Sequence, residues 1–243
     1  MPFVSNLAID SMAELISGAG EFLSGFGTSF AMILATEIGD RTFFIAAIMA
    51  MKHDRIVVWS GALAALALMT VFSAIFGIAA VTFFPPWLVN WAVVFLMLYF
   101  GITMLKEGLQ MNPNDAGFEE MEEVKEEMSE VEDKSLAYME DVDKKLRKKP
   151  TRSVFLEACT LTFLAEWGDR SQMATIALAA VYNAFGVILG AIVGHALCTG
   201  FAVVGGRLIA DYVSERIVHI SGGTLFIIFA IIGAAMEIAK ELF

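Results

Sequence analysis

The chain has 243 residues, of which 58% are hydrophobic, and a formal net charge of −11 at pH 7. This apolar fraction, with a mean hydropathy of +0.70, exceeds that of soluble proteins, so the surplus apolar surface must face lipid. The charge does not indicate a soluble acidic protein, because the acidic residues are concentrated in one hydrophilic segment, residues 111–150.

The N-terminal segment, residues 1–21, precedes the first long apolar run. It carries no Lys or Arg ahead of an apolar core, so it does not resemble an intact signal peptide. Val4, Leu7, Met12 and Leu15 recur at helical spacing among polar residues. This pattern predicts an amphipathic segment that lies on the membrane surface.

Apolar runs of about 20 residues, the length that crosses a hydrocarbon layer of about 30 Å, recur along the chain. There are six, at residues 22–51, 56–82, 88–109, 153–181, 185–210 and 217–238. The first and fourth contain a charged cluster near the middle, which lowers their hydropathy but not their length. The predicted fold is an all-α polytopic membrane protein with six transmembrane helices.

The connections between these spans differ in charge. Lys or Arg residues occur in or beside the connections 52–55, 106–152 and 207–216, whereas the turns at 83–87 and 182–185 have none. Because basic connections stay in the cytoplasm, these two groups of connections face opposite sides of the membrane. We therefore expect the central segment to be cytoplasmic and both termini to be lumenal.

The central segment, residues 111–152, begins acidic and ends basic. Met121, Val124, Met128 and Val131 recur at three- and four-residue steps, which favours a partly helical linker with a thin apolar stripe. The alternative is a wholly solvated linker.

A motif of the form E-x-G-D-R-[ST] occurs twice, at residues 37–42 and 166–171, with an offset of 129 residues. The same offset also pairs Gly61 with Gly190 and Thr70 with Thr199. We interpret this as a duplication of a three-span unit, with one copy at 22–110 and the other at 153–243. Three spans is an odd number, so the two copies are inverted, as in many secondary transporters whose site lies at mid-membrane between the repeats.

The motif residues predict a metal site at that depth. Positions three apart on a helix share a face, so each motif presents a pair of carboxylates. Ser, Thr and Gln side chains beside them add oxygen atoms, and an all-oxygen site suits Ca²⁺, Mn²⁺ or Mg²⁺ better than zinc or copper. The predicted ligands are Glu37, Asp40, Glu166, Asp169, Thr42, Ser171 and Gln172. For Gln172 the alternative is simple packing.

Charge in the membrane favours exchange at this site. Four carboxylates against two counter-charges, Arg41 and Arg170, leave a surplus of two negative charges that is costly in hydrocarbon. A divalent cation or two protons would cancel it, so metal and protons compete for the same groups. The alternative is a structural polar core, in which each Glu pairs with the Arg four residues later. His195 in the fifth span is either a proton relay or a packed histidine. Gly39 and Gly168 either allow close helix packing or break the helix.

The doubled motif, with F43-F-I-A-A-I-M-A-M51, G194-H-A-L-C-T-G200 and V203-V-G-G-R207, closely resembles the GDT family of membrane cation/proton exchangers of Golgi, chloroplast and bacterial membranes. The resemblance covers nearly all of residues 22–240 and implies proton-driven transport of Mn²⁺ and Ca²⁺, with the four motif acids as the ion site. The acidic, lysine-bearing central segment is most similar to the Golgi branch, which supplies lumenal Mn²⁺ for glycosylation.

The sequence thus predicts a transporter, not an enzyme, whose partners are divalent cations and the lipid bilayer, without nucleic acid or a resident cofactor. The oligomeric state stays open. Two other functions compete with this prediction. One is a passive divalent-cation channel, and the other is an intramembrane aspartyl protease built on Asp40 and Asp169. The protease is disfavoured, because its dyad needs two acids that share a proton rather than two further glutamates and two arginines.

Overall fold

The computed structural model describes residues 2–111, 124–126, 128–129, 150–205 and 215–242, with side chains from residue 17 onwards in the first helix. These residues are helical apart from short turns, and they contain no strand. The main helices are α1 (Pro2–Glu37), α2 (Arg41–Lys52), α3 (Arg55–Phe83), α4 (Pro86–Gln110), α5 (Thr151–Ala165), α6 (Arg170–Val181), α7 (Ala184–Gly205) and α8 (Glu215–Leu242). The predicted all-helical class is confirmed.

Within the described ranges, four helices are long and apolar enough to cross a membrane, namely Arg55–Phe83, Pro86–Gln110, Ala184–Gly205 and Arg216–Lys240. They correspond to the second, third, fifth and sixth predicted spans. The side chains of residues 1–16, which form the predicted amphipathic segment, lie outside the description.

The first and fourth predicted spans are each two helices rather than one. The chain leaves the helical conformation at Gly39 and Gly168, whose φ angles are +81° and +79°. This left-handed region is readily accessible only to glycine, and it ends the first helix of each pair before the next begins. The prediction that Glu37 and Asp40, and likewise Glu166 and Asp169, share the face of one continuous helix is therefore wrong, and the alternative of a local break is correct.

The helix contacts exchange partners between the two predicted halves. α3 packs against α5 and α6, while α7 packs against α1 and α2. Each broken pair thus lies against the middle helix of the other half. α4 and α8 pack extensively on each other. Together these contacts bring the two helix breaks to the centre of the bundle.

Two glycines show how closely these helices approach. A Cβ atom at Gly61 of α3 would lie 2.6 Å from the carbonyl oxygen of Phe155 on α5, and a Cβ atom at Gly190 of α7 would clash with the carbonyl oxygen of Phe26 on α1. The second contact is the first one displaced by 129 residues at both ends. The sequence offset is therefore repeated in the packing.

The central segment contributes to the core where it is described. Residues 124–126 and 128–129 are helical, and Val124, only 1% exposed, belongs to the apolar cluster formed by α2, α3, α5 and α7. Met128 packs against the same cluster. The remaining stripe residues, Met121 and Val131, lie outside the described residues. The described part of the stripe is therefore packed rather than solvated.

Candidate metal site

The first motif forms a turn between α1 and α2. Glu37 is the last residue of α1, and the backbone N–H of Asp40 donates to its carbonyl oxygen at 3.3 Å. Asp40 is the N-cap of α2 but makes no side-chain capping hydrogen bond. Its carboxylate therefore has no backbone partner within its own helix.

The second motif repeats this turn between α5 and α6. The N–H of Asp169 donates to the carbonyl oxygen of Glu166 at 3.2 Å. Here the cap is made, because the Asp169 carboxylate accepts from the N–H groups of Ser171 at 3.0 Å and Gln172 at 2.8 Å. An N-cap acid also faces the partial positive charge of the helix N-terminus. Asp169 thus holds its own helix while it faces the site.

Acids from the two motifs meet. Glu37, Glu166 and Asp169 each place a carboxylate oxygen within 4.8 Å of the others. Glu37 is 3% exposed and Glu166 is 2% exposed. One oxygen of each, Oε1, has no hydrogen-bond partner in the described part of the chain. Buried carboxylate oxygens that only accept, and that converge, are suited to a cation or to protons.

The motif hydroxyl groups support these acids in matching ways. Thr42 Oγ1 lies 3.4 Å from Glu37 Oε2, and Ser171 Oγ lies 3.3 Å from Glu166 Oε2. Ser171 Oγ also lies 3.3 Å from Asp169 Oδ1. A hydroxyl that donates to a carboxylate keeps its lone pairs, so both remain candidate ligands.

Gln172 has no counterpart in the first motif and contributes differently. Its Oε1 accepts from the N–H of Gly168 at 2.7 Å, which ties the first turn of α6 back to the motif loop. To become a ligand, this oxygen would have to give up that bond or share it. Its ligand role stays a prediction, and its structural role is to hold the turn.

The two motif arginines lie apart from their glutamates along the helix axis. The structural alternative required Glu and Arg four residues apart in one helix, but a break separates Glu37 from Arg41 and Glu166 from Arg170. Arg170 Nη2 instead lies 3.0 Å from Glu107 Oε2 of α4. Arg41 lines a separate cavity of about 280 Å³ with Val124 and Met128.

Sequence reasoning missed Glu107. Its carboxylate receives Arg170 and also lies 3.6 Å from His219 Nε2 of α8. The one signal for it was an acid next to Lys106 near the end of the third span, which is also a common arrangement for a residue that reaches lipid headgroups. Only the tertiary structure brings it to the motif.

His195 reaches the site from α7. Its Nδ1 lies 3.8 Å from Glu37 Oε2, both residues are buried, and that distance is too long for a hydrogen bond. Within the described residues, Nδ1 has no hydrogen-bond partner. The sequence placed His195 in a span, and the structure brings it next to a site acid, while its relay role stays a prediction.

A water-sized route leads to the acids from one side only. A cavity of about 340 Å³, which we call the vestibule, is lined by Thr36, Asp40, Phe100, Met104, Gly168, Asp169, Arg170, Val218 and His219. Asp40 is therefore placed beside Asp169 at the inner end of the vestibule. The cavity runs towards the ends of α4 and α8 that carry Lys106 and Arg216.

The chain was compared with known proteins. It matches the family described as "Divalent cation/proton antiporter GDT1" over residues 25–112 and 154–240, and the two matched stretches begin 129 residues apart. GDT1-like protein 3 of Oryza sativa subsp. indica is 44% identical over 214 residues, which cover 88% of this chain and 74% of that protein. No solved structure matches the chain.

Two further relatives come from different compartments or organisms. A GDT1-like protein of Synechocystis is 41% identical over 218 residues, which cover 89% of this chain and 100% of the relative. GDT1-like protein 2, chloroplastic, of Oryza sativa subsp. japonica is 41% identical over 217 residues, which cover 86% of this chain and 60% of the relative. The predicted family is confirmed, and it is a family of transporters rather than of enzymes. This chain belongs to the GDT1 family of divalent cation/proton antiporters.

Proposed function

We propose that this protein exchanges cytoplasmic Mn²⁺ or Ca²⁺ for lumenal protons at Glu37, Asp40, Glu166 and Asp169. One observation carries the proposal: Glu37, Glu166 and Asp169, from opposite halves of the chain, place carboxylate oxygens within 4.8 Å of one another in a buried site. Unneutralised carboxylates this close repel strongly where water is scarce. A divalent cation and protons neutralise the same oxygens, so the binding of one favours release of the other.

The donor atoms support the choice of metals. Carboxylate and hydroxyl oxygens surround the site, and hard oxygen ligands suit Ca²⁺ and Mn²⁺. These ions and protons are substrates, and the proposed mechanism requires no resident cofactor. Arg170, held on Glu107, leaves the acids less compensated than their sequence spacing suggests.

We also propose six membrane crossings in two inverted three-helix repeats, joined by a cytoplasmic linker. The broken pair α5 and α6 has 15 and 12 residues, roughly 40 Å of helix, which is enough to cross a bilayer despite the break. The exchange of helix partners between the halves and the matched glycine contacts support the repeat. With the positive-inside orientation, the vestibule opens to the cytoplasm.

The one-sided vestibule favours a carrier over a channel. Beyond Glu166 the cavity narrows to about 10 Å³, which leaves no continuous path for an ion. In alternating access, the two halves rock so that the same acids face the cytoplasm and then the lumen. A protease dyad of Asp40 and Asp169 is less well supported, because two buried glutamates share their site.

We propose the Golgi membrane as the location and lumenal Mn²⁺ supply for glycosylation as the role. The resemblance of the acidic, lysine-bearing central segment to the Golgi branch supports this. A chloroplast membrane is the alternative, since one relative carries that location in its name. Imaging of the tagged full chain in its source cell, against markers for both organelles, tests the assignment.

The test of exchange uses purified full-length protein in sealed vesicles under an imposed pH gradient. Wild type should accumulate Mn²⁺ or Ca²⁺ against its concentration gradient and move protons the other way, whereas a channel would only equilibrate the metal. Glu37→Gln and Glu166→Gln keep the side-chain size and remove the charge, and both should abolish coupled flux. Glu21→Gln is the matched control, because Glu21 is an exposed acid on the same helix as Glu37. Normal exchange by both site variants would defeat the assignment.

A further inference from the structure

A second polar cavity lies on the side of Glu166 that faces away from the vestibule. We call it the chamber, and its polar lining comes from Thr70, Ser73, Glu166, Ser171, Thr175 and His195. Its volume is about 10 Å³, at the lower limit for one water molecule. The chamber shares Glu166 with the metal site, so the two are adjacent through one carboxylate.

The polar atoms of the chamber are not used up by the protein. Ser73 is 1% exposed, and its Oγ has no hydrogen-bond partner in the ranges described. Glu166 Oε1 and His195 Nδ1 share this property. Thr70 and Thr175 donate to the carbonyl oxygens of Leu66 and Ser171, both at 2.8 Å, so their protons are occupied while their lone pairs are free.

Such groups are unusual in a helix bundle within lipid. Buried polar atoms are nearly always satisfied, and a cluster of unsatisfied ones calls for a partner that binds there. The hydroxyl of Ser73 adds nothing to helix pairing that an alanine would not. Its position next to Glu166 gives it a different use, as an oxygen ligand one step beyond the site.

The chamber also points in a definite direction. Ser73 lies beyond the midpoint of α3, towards Phe83, whereas the helix starts at Arg55 on the basic side. α6 runs from the second motif through Thr175 to Val181 and the turn that lacks basic residues. The chamber is therefore displaced from the metal site towards the face opposite the vestibule.

We propose that the chamber is the closed lumenal half of the ion path, and that Ser73 is a ligand for the cation as it leaves Glu166. This inference rests on the proposed exchange function and assigns the residues on its exit side. When the halves rock, the chamber widens and the vestibule closes. The hydroxyl oxygen atoms of Thr70, Ser73 and Thr175 then replace part of the hydration shell of the cation.

The first test changes the chamber without touching the acids. Ser73→Val removes the hydroxyl and fills the space, so Mn²⁺/H⁺ exchange should fall at least about tenfold, while Ser73→Ala, which leaves the space open, should lose only about two- to fivefold. Mn²⁺ binding from the vestibule side should be unchanged in both, which also shows that they fold. Ser60→Val is the matched control, because Ser60 lies on the same helix and its Oγ donates to the Val57 carbonyl at 3.0 Å.

The second test measures access to the chamber. Ser73→Cys is made in a Cys159→Ala, Cys198→Ala background that retains exchange, and sealed vesicles of known orientation receive a membrane-impermeant cationic thiol reagent. Lumenal reagent should modify the cysteine at least about fivefold faster during turnover than at rest without Mn²⁺. Phe72→Cys is the control, because Phe72 is 45% exposed on the outer surface of the bundle and should resist the reagent in both states.

The outcomes separate this inference from the proposed function. If wild type exchanges but Ser73→Val does so normally, or if Ser73→Cys reacts only from the vestibule side or not at all, the chamber is not the exit and exchange stands. If wild type does not exchange, both proposals fall. Turnover-dependent lumenal modification together with the loss in Ser73→Val supports the assignment.

Discussion

Arg170 of the second motif is tied to Glu107 of α4, with Nη2 and Oε2 3.0 Å apart. The guanidinium lines the vestibule with Asp40 and Asp169 but is held at its wall by an acid from outside the motif. His219 lies on the other side of the same carboxylate, 3.6 Å away. Glu107 therefore decides how much positive charge the site acids feel.

Removing the Glu107 charge should weaken metal binding. In Glu107→Gln the arginine loses its ionic partner, and it can turn towards Asp40 and Asp169, where it competes with a cation. We expect the Kd for Mn²⁺ to rise about three- to tenfold, because the pair is partly exposed and each charge is partly screened. Titration of purified protein with Mn²⁺ measures this.

Two variants control for the Glu107 result. Arg170→Gln removes the competing cation, so the double variant with Glu107→Gln should bind Mn²⁺ at least as tightly as wild type. Glu21→Gln should have no effect, since Glu21 is exposed on α1. An unchanged Kd in Glu107→Gln would show that the pair serves packing alone.

The two motif aspartates should differ in what they contribute to stability. Asp169 caps α6 through two backbone N–H groups, whereas Asp40 makes no such bond. Asp169→Ala should therefore cost about 1 kcal/mol of stability, and Asp40→Ala clearly less. Thermal unfolding in detergent, compared between the two variants, measures the difference.

Asparagine separates the cap from the charge. Asp169→Asn keeps an oxygen that can accept from the same N–H groups, so its unfolding temperature should stay close to that of wild type while coupled transport is lost. Equal destabilisation by alanine at both positions would show that the hydrogen bonds to Asp169 contribute nothing.

The helix breaks should depend on glycine for backbone reasons alone. At Gly168 an added Cβ would contact nothing within 4 Å, so Gly168→Ala is opposed only by its φ of +79°. We expect a loss of about 1–2 kcal/mol together with reduced transport, because relief of the strain would move Asp169 relative to Glu166. Gly168→Asn should retain more of both, since asparagine tolerates the left-handed region better.

Gly27→Ala is the matched control for the break. Gly27 also has open space around it, but it lies inside α1 with ordinary helical geometry. Alanine there should be neutral or slightly stabilising. If Gly168→Ala and Gly27→Ala had the same unfolding temperature, the left-handed turn would not be important for stability.

The sequence predicted the composition of the site better than its shape. Charges inside two apolar runs, repeated at one offset, identified the acids, the hydroxyl groups and the class of ion, because burying ions in lipid is too costly without a function. Periodicity treated each run as one helix, since Glu37 and Asp40 have helical spacing and glycine is compatible with either conformation. The backbone angle of Gly39 follows from the surrounding fold, not from its neighbours in sequence.

The residues that sequence reasoning missed are those whose role depends on distant partners. Glu107 lies in the third span and meets Arg170 only after α4 packs near α6. Ser73 is one of several hydroxyl-bearing residues in apolar helices, most of which bond to their own backbone, as Thr70 and Thr82 do. Nothing local distinguishes it, and only its place next to Glu166 does.

The matched glycine contacts give a test of the two-fold arrangement itself. Gly61 and Gly190 each meet a backbone carbonyl oxygen of the facing broken helix, that of Phe155 and that of Phe26. Alanine at either position must push the helices apart, and overpacking of this kind costs about 1–3 kcal/mol. If both contacts lie on the surface where the halves move, Gly61→Ala and Gly190→Ala should slow exchange to a similar degree. Gly200→Ala on α7 is the control, because its nearest neighbour, Trp59 Nε1, would be at an ordinary 3.6 Å. Vesicle exchange rates and unfolding temperatures for the three variants, measured side by side, would count against the symmetric arrangement if only one of the first two were impaired.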